Sequence, residues 1–202
     1  LLQTHISWVL LAGRYAYKIK KPVNLGFLDF SSLEARHHFC NEEIRLNRRL
    51  APKIYLDVIA IGGSTESPVL GGQPAIEYAV RMRRFAASRQ LDRLVADNKI
   101  LPQHMDSLAA TMANFHRSLP SAEASSLFGT ADAVYQAAAQ NFEQLQGLLS
   151  ECCEVERLAA LRRNSDSEFD ACRSLCAQRL QQGYVRECHG DLHLGNIVLL
   201  DE

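Results

Sequence analysis

Residues 189–196 read HGDLHLGN, a run that places Asp191 and Asn196 five positions apart between two histidines and two glycines. A carboxylate in that setting can take the proton of an attacking hydroxyl, and an amide oxygen five residues on can hold a divalent cation. Gly190 and Gly195 supply the backbone freedom for a short loop to aim both side chains one way. The apolar run NIVLL follows directly and is expected to be a strand. The same residues allow two other readings. His189, Asp191 and His193 alternate and would supply metal ligands along one strand edge, although no second histidine cluster completes such a site. Alternatively, the polar groups merely satisfy the backbone of a turn.

A second group lies near the start. If YAYKIKK (15–21) is a strand, Ala16, Lys18 and Lys20 share one face and Tyr15, Tyr17 and Ile19 the other. A small residue two positions before Lys18 leaves room on that face for a flat base. The helix expected after the strand offers two carboxylates, Glu42 and Glu43. Phe39, Leu46 and Leu50 mark its inward stripe. Glu43 falls inside that stripe and Glu42 about 100° round the helix from it. An acid facing inward needs a partner, so Glu43 is the expected mate of Lys18.

These groups must be positioned by two kinds of element. The front is strand-like: HISWVLL and YAYKIKK flank a turn at AGR, and IYLDVIAI and PAIEYAVRMRRF follow, joined by the loop GGSTESPVLGGQ. Between them a helix is expected to start near Ser32, with Ser31 and Glu34 as a capping box, and to end at Pro52. After Phe85 the apolar spacing becomes helical, in segments 90–100, 102–119, 131–163 and 167–183, the last capped by Gly183. The reading is an α+β chain: a strand-rich lobe over 1–85 and a helical lobe over 86–202, joined near Arg83–Ser88. With a net charge of −1, no large basic excess argues for nucleic acid, and no acidic run argues for disorder. No apolar run is long enough to span a bilayer, and no leader pattern opens the sequence, so a cytoplasmic location is expected. The spacing of the six cysteines suits neither zinc knuckles nor a disulfide framework, and they are expected to be reduced and mostly buried. With no initiator Met and a strand approach at Leu1, the sequence is expected to be a piece of a longer one.

HGDLHLGN has the spacing of the protein-kinase motif H-R-D-x-x-x-x-N, and AYK the Ala-x-Lys spacing of the kinase strand V-A-I-K. With AYKIKKPVNLGFLDFSSLEAR, EEIRLNRRLAP and CHGDLHLGNIVLLD, the chain resembles the aminoglycoside phosphotransferase family, whose fold is protein-kinase-like. It is most similar to bacterial members in which an ATP-binding P-loop domain is fused after the kinase-like one. The resemblance implies a two-lobed fold, with a small antiparallel sheet and one helix before a mainly helical lobe. It implies ATP and Mg²⁺ as cofactors and transfer of the γ-phosphoryl group to a hydroxyl of a small molecule. Asp191 would be the catalytic base, Asn196 a metal ligand, Lys18 the phosphate clamp and Glu43 its partner. Thr4 or Ser7, in QTHIS, would meet phosphate, and the backbone of VRMRRFAAS would meet adenine. The second metal-binding carboxylate is expected beyond Glu202, leaving this piece inactive. NIVLL would then lack a partner strand. A modest acidic cluster, Glu151, Glu154 and Glu156, gives no support for a polycationic acceptor. The rival reading is a nucleotide-sensing module without catalysis that regulates a fused ATPase domain.

Overall fold

The computed structural model describes residues 1–26, 28–149 and 152–200. They form an α+β fold with one antiparallel sheet and five α-helices, in two compact units: residues 1–100 together with 191 onward, and Leu101–Gly190. That division differs from the expected 1–85/86–202 split, because the segment after Phe85 carries bonds that tie the 191–200 loop to it (below).

In the first unit, β1 (Leu2–Gln3), β2 (Ser7–Ala12), β3 (Tyr15–Lys20), β4 (Tyr55–Gly63), β5 (Pro68–Leu70) and β6 (Glu77–Arg83) assemble in the order β1-β2-β3-β6-β4-β5. The β2–β3 hairpin closes with Ala12 opposite Tyr15, and Gly13 takes the left-handed conformation (φ +55°) that a two-residue loop demands. β3 is paired on both sides, so Lys18 sits between Val9 and Val80 on a strand that cannot drift. β5 was not foreseen. The loop 62–73 folds back on β4, and a Cβ on Gly62 would lie 2.4 Å from the Gly72 carbonyl carbon, so only glycine permits the approach.

α1 (Leu33–Asn47) packs on β4 and β6, where Cys40, Ile44 and Val80 form a core flanked by Tyr55, Val58, Tyr78 and Met82. Three details correct the sequence reading. The cap is Ser32, whose Oγ accepts from the Ala35 N–H at 3.1 Å, while the Ser31 N–H bonds Asp29. The helix stops at Asn47, well before Pro52, and turns over Arg48–Leu50. The buried stripe is Arg36, Cys40 and Ile44 rather than Phe39, Leu46 and Leu50, which are only half-buried. Leu46 and Leu50 read as inward because they are apolar, but Arg36 takes the inward place by bringing its own partners.

α2 (Leu91–Ala96) follows a 3₁₀ turn at Ala87–Arg89 and completes the first unit. The second unit holds α3 (Pro102–Ser118), α4 (Ala131–Leu148) and α5 (Cys152–Gln181). The expected break at Asn164–Asp166 is absent, and α5 runs through it for 30 residues. Tyr135 donates to Asp166 at 2.9 Å, Arg173 meets Asp132 at 2.7 Å, and the Tyr135 and Phe169 rings lie 4.9 Å apart, so contacts with α4 override weak local propensity. Gly183 (φ +73°) ends α5, with the Tyr184 N–H on the Arg179 carbonyl. Among the described residues five cysteines are free, but only Cys40 is buried; Cys153, Cys172 and Cys188 are exposed, against expectation. Cys153 and Cys172 lie on α5 and Cys188 in the segment after it, outside the core that holds Cys40.

Candidate functional site

Lys18 and Lys20 project from the same face of β3, and both reach one carboxylate on α1. Lys18 Nζ donates to Glu43 Oε1 and Lys20 Nζ to Glu43 Oε2, each at 2.8 Å. Burial alone would raise the carboxyl pKa, because Glu43 is 11% exposed. The two ammonium groups and their hydrogen bonds outweigh that, and Glu43 sits below the ordinary glutamate range. Glu42 instead faces outward and pairs with Arg45 at 2.8 Å.

The helix is fixed in rotation two turns earlier. Arg36 is buried, and its Nε meets both Glu77 oxygens at 3.0 and 2.9 Å while Nη1 donates to the Phe30 and Ser31 carbonyls at 3.0 Å each. His37 stacks on Tyr78 at 3.9 Å, a further contact between α1 and the sheet. Arg36 and Glu43 are seven positions apart on one face, so the clamp that docks the helix also aims the glutamate.

The turn before β2 does not present its hydroxyls as expected. Thr4 Oγ1 is engaged with the Ser7 backbone, donating to its carbonyl (3.2 Å) and accepting from its N–H (3.0 Å). Ser7 is fully buried, and its Oγ has no hydrogen-bond partner among the described residues. At the far end of β6, the Arg83 N–H donates to Ile54 O and the Arg84 N–H to Arg14 O. Arg81 is paired with Asp57 (Nε–Oδ1 2.9 Å), a hydrogen bond that raises the guanidinium pKa, and stands over the Tyr15 ring. A recess of about 540 Å³ opens beside Arg83–Phe85, lined also by Pro52, Ile54, Leu56 and Leu200.

In the loop, Asn196 Nδ2 donates to the Asp191 carbonyl (2.9 Å) and to its Oδ2 (3.1 Å). This leaves Asn196 Oδ1 as the amide atom suited to a cation. His193 turns away: its Nδ1 accepts from the Gly195 N–H at 3.2 Å, and its Nε2 stays 3.9 Å from Asp191. Among the described residues no three His, Cys, Asp or Glu side chains gather into a metal-holding group, so the His189–Asp191–His193 alternative gains no support. The expected strand NIVLL is instead a 3₁₀ turn (Leu194–Asn196) and an extended tail. Nor does that tail lack a partner. The Leu91 N–H bonds Ile197 O, the Leu199 N–H bonds Arg89 O, the Arg89 guanidinium donates to Leu199 O, and Gln90 Nε2 reaches Gly195 O. Among the described residues of the tail a single bridge, Gln90 with Val198, has ladder geometry.

The four residues singled out from sequence thus come together as two pairs, Lys18 with Glu43 and Asp191 with Asn196, both in the first unit. Sequence reasoning placed Lys20 on the right face but did not assign it to the same carboxylate. Arg36, Arg89 and Gln90 gave no usable signal, since a cation in a helix and polar residues before one are usually solvated.

The model of the phosphotransferase enzyme family matches residues 30–202. Curated relatives include uncharacterized proteins of Mycobacterium bovis and of two strains of Mycobacterium tuberculosis, each 28% identical over 199 residues. The matches cover 98% of this chain but only 39% of each relative. No solved structure matches significantly.

Proposed function

The chain belongs to the phosphotransferase enzyme family, and on that premise we propose that it is the kinase-like part of an ATP- and Mg²⁺-dependent phosphotransferase acting on a hydroxyl of a small molecule. The observation that carries this reading is the 2.8 Å ion pair of Lys18 and Glu43, which spans 25 positions of sequence. A strand lysine held by a helix glutamate is the arrangement by which kinases orient a cation toward nucleotide phosphates. The finer expectations, an aminoglycoside-phosphotransferase-type, two-lobed kinase-like fold and a P-loop domain in a longer protein, belong to the same proposal. The lengths of the relatives leave room for such a domain.

In this reading Lys18 binds phosphate oxygens and Asp191 accepts the hydroxyl proton as the acceptor oxygen attacks. Asn196 bridges to Asp191 through Nδ2 and offers Oδ1 to the cation, an oxygen donor of the kind Mg²⁺ prefers. When bound, Mg·ATP supplies the phosphoryl group and the charge neutralisation. The Arg83 and Arg84 amides are spent within the fold, so the backbone edge for a base begins at Phe85. The bonds from Arg89 and Leu91 to the tail hold the loop against the segment that follows this edge.

Calorimetric titration with Mg·ATP tests the proposal. The chain is expected to bind, and Lys18→Ala to bind about tenfold or more weakly, the worth of one charge-assisted contact. Equal affinity in the two removes Lys18 from the site and with it the reading.

A further inference from the structure

Glu43 receives two cations, and a lysine–glutamate pair needs only one. The second, Lys20, is 6% exposed at its side chain, whereas Lys18 is 27% exposed. Lys20 also lies over the Phe30 ring, 4.9 Å from its centroid, so it is enclosed between an anion and an aromatic face. Burying an ammonium this deeply is costly, and the sheet has to offset that cost. The cluster of Lys18, Lys20 and Glu43 carries two positive charges and one negative, leaving one positive charge over. Lys20 is closed off from solvent, so the surplus can act outward only through Lys18.

We infer that Lys20 is a positioning residue: by occupying Glu43 Oε2 it fixes and neutralises the carboxylate, and leaves the charge of Lys18 uncompensated for an anion. This deepens the nucleotide reading and rests on it. With Glu43 and Lys18 alone, the lysine would be held but its field cancelled. With Lys20 added, Lys18 is both held and net cationic, a preformed half-site for a polyphosphate oxygen. Ser7 lies opposite Lys20 across the β2–β3 ladder, and the Lys20 ammonium is committed to Glu43 Oε2 at 2.8 Å.

The test uses charge restoration. Wild type, Lys20→Met, Lys20→Arg and the double variant Lys20→Met/Glu43→Gln are titrated with Mg·ATP and, in parallel, with inorganic tripolyphosphate, after urea unfolding confirms that each is folded. Lys20→Met makes the cluster neutral and is expected to weaken both ligands by about tenfold or more. Lys20→Arg keeps the charge and is expected to retain most of the affinity. The double variant leaves Lys18 as the lone charge and is expected to bind better than Lys20→Met, although it lacks two native groups. A purely structural role for Lys20 would make the double variant no better than the single one, and that result overturns the inference. So does Lys20→Met binding as wild type does. If wild type takes tripolyphosphate but not Mg·ATP, the nucleotide reading falls while the variants still judge the role of Lys20; if it takes neither, both fall.

Discussion

Replacing Glu43 by glutamine keeps the shape of the side chain and removes the negative charge that two lysines share. Glu43 is 11% exposed and Lys20 6%, so water cannot take the place of the lost charge around Lys20; Lys18, at 27%, can turn outward. Breaking a buried pair by removing one partner costs about 3–5 kcal/mol. One lysine can still find solvent and the amide oxygen still accepts one bond, so the lower end, about 3 kcal/mol, is expected. Glu42→Gln touches only a surface pair with Arg45 and is expected to cost less than about 0.5 kcal/mol. Urea unfolding followed through Trp8, the one tryptophan and a β2 residue, reports on the sheet directly. With a slope of about 2 kcal/mol per molar, the midpoint falls by about 1.5 M in Glu43→Gln and by less than about 0.25 M in Glu42→Gln. The pH dependence carries the same signature. The folded pKa of Glu43 is lowered from 4.5, so its contribution is complete above that value and is lost as pH falls through the folded pKa. Wild type is therefore expected to lose this increment in acid and Glu43→Gln to have none to lose. Equal midpoint shifts in the two variants, or identical acid profiles in wild type and Glu43→Gln, would refute the buried, doubly paired carboxylate.

Other expectations are as direct. Asp191→Asn, in a longer form of the protein that turns over ATP, should lower turnover by about 10²–10⁴-fold with Mg·ATP affinity largely kept, measured by steady-state rate and calorimetry. Ser32→Ala should cost about 1 kcal/mol in the Trp8 unfolding assay and Ser31→Ala markedly less, since Ser32 provides the α1 cap. Cys40, buried and with its thiol pushed up to about 11, should resist a thiol reagent at pH 8 in the native state; mass spectrometry should find label on Cys153, Cys172 and Cys188 first.

The β2–β3 hairpin and the pairing of Lys18 with Glu43 were legible because each rests on a local rule: a two-residue turn at glycine, side-chain alternation along a strand, and an acid on an inward helix face. The failures share a different cause. Arg36 gave no signal because its partners, Glu77 and two carbonyls, converge only in the folded chain. Phe39, Leu46 and Leu50 looked buried because apolar spacing cannot say which of two neighbouring stripes meets the sheet. The segment 197–200 has strand composition but meets a turn-and-helix start, whose backbone offers a single bridge instead of a ladder. α5 passes through Asn164–Asp166 because Tyr135 and Asp132, some 30 residues earlier, take up its polar side chains.

The chain leaves the first unit at Ile100 and re-enters it at Asp191. The second unit is therefore, in topological terms, a 90-residue insertion between the segment that anchors the loop and the loop itself. The bonds that set Asp191 and Asn196 in place are made to Arg89, Gln90 and Leu91, on the near side of that insertion. Closing a longer or shorter excursion costs only about 0.6 kcal/mol per doubling of length. Closure entropy alone thus makes the loop's anchorage on residues 89–91 depend only weakly on the number of residues that lie between.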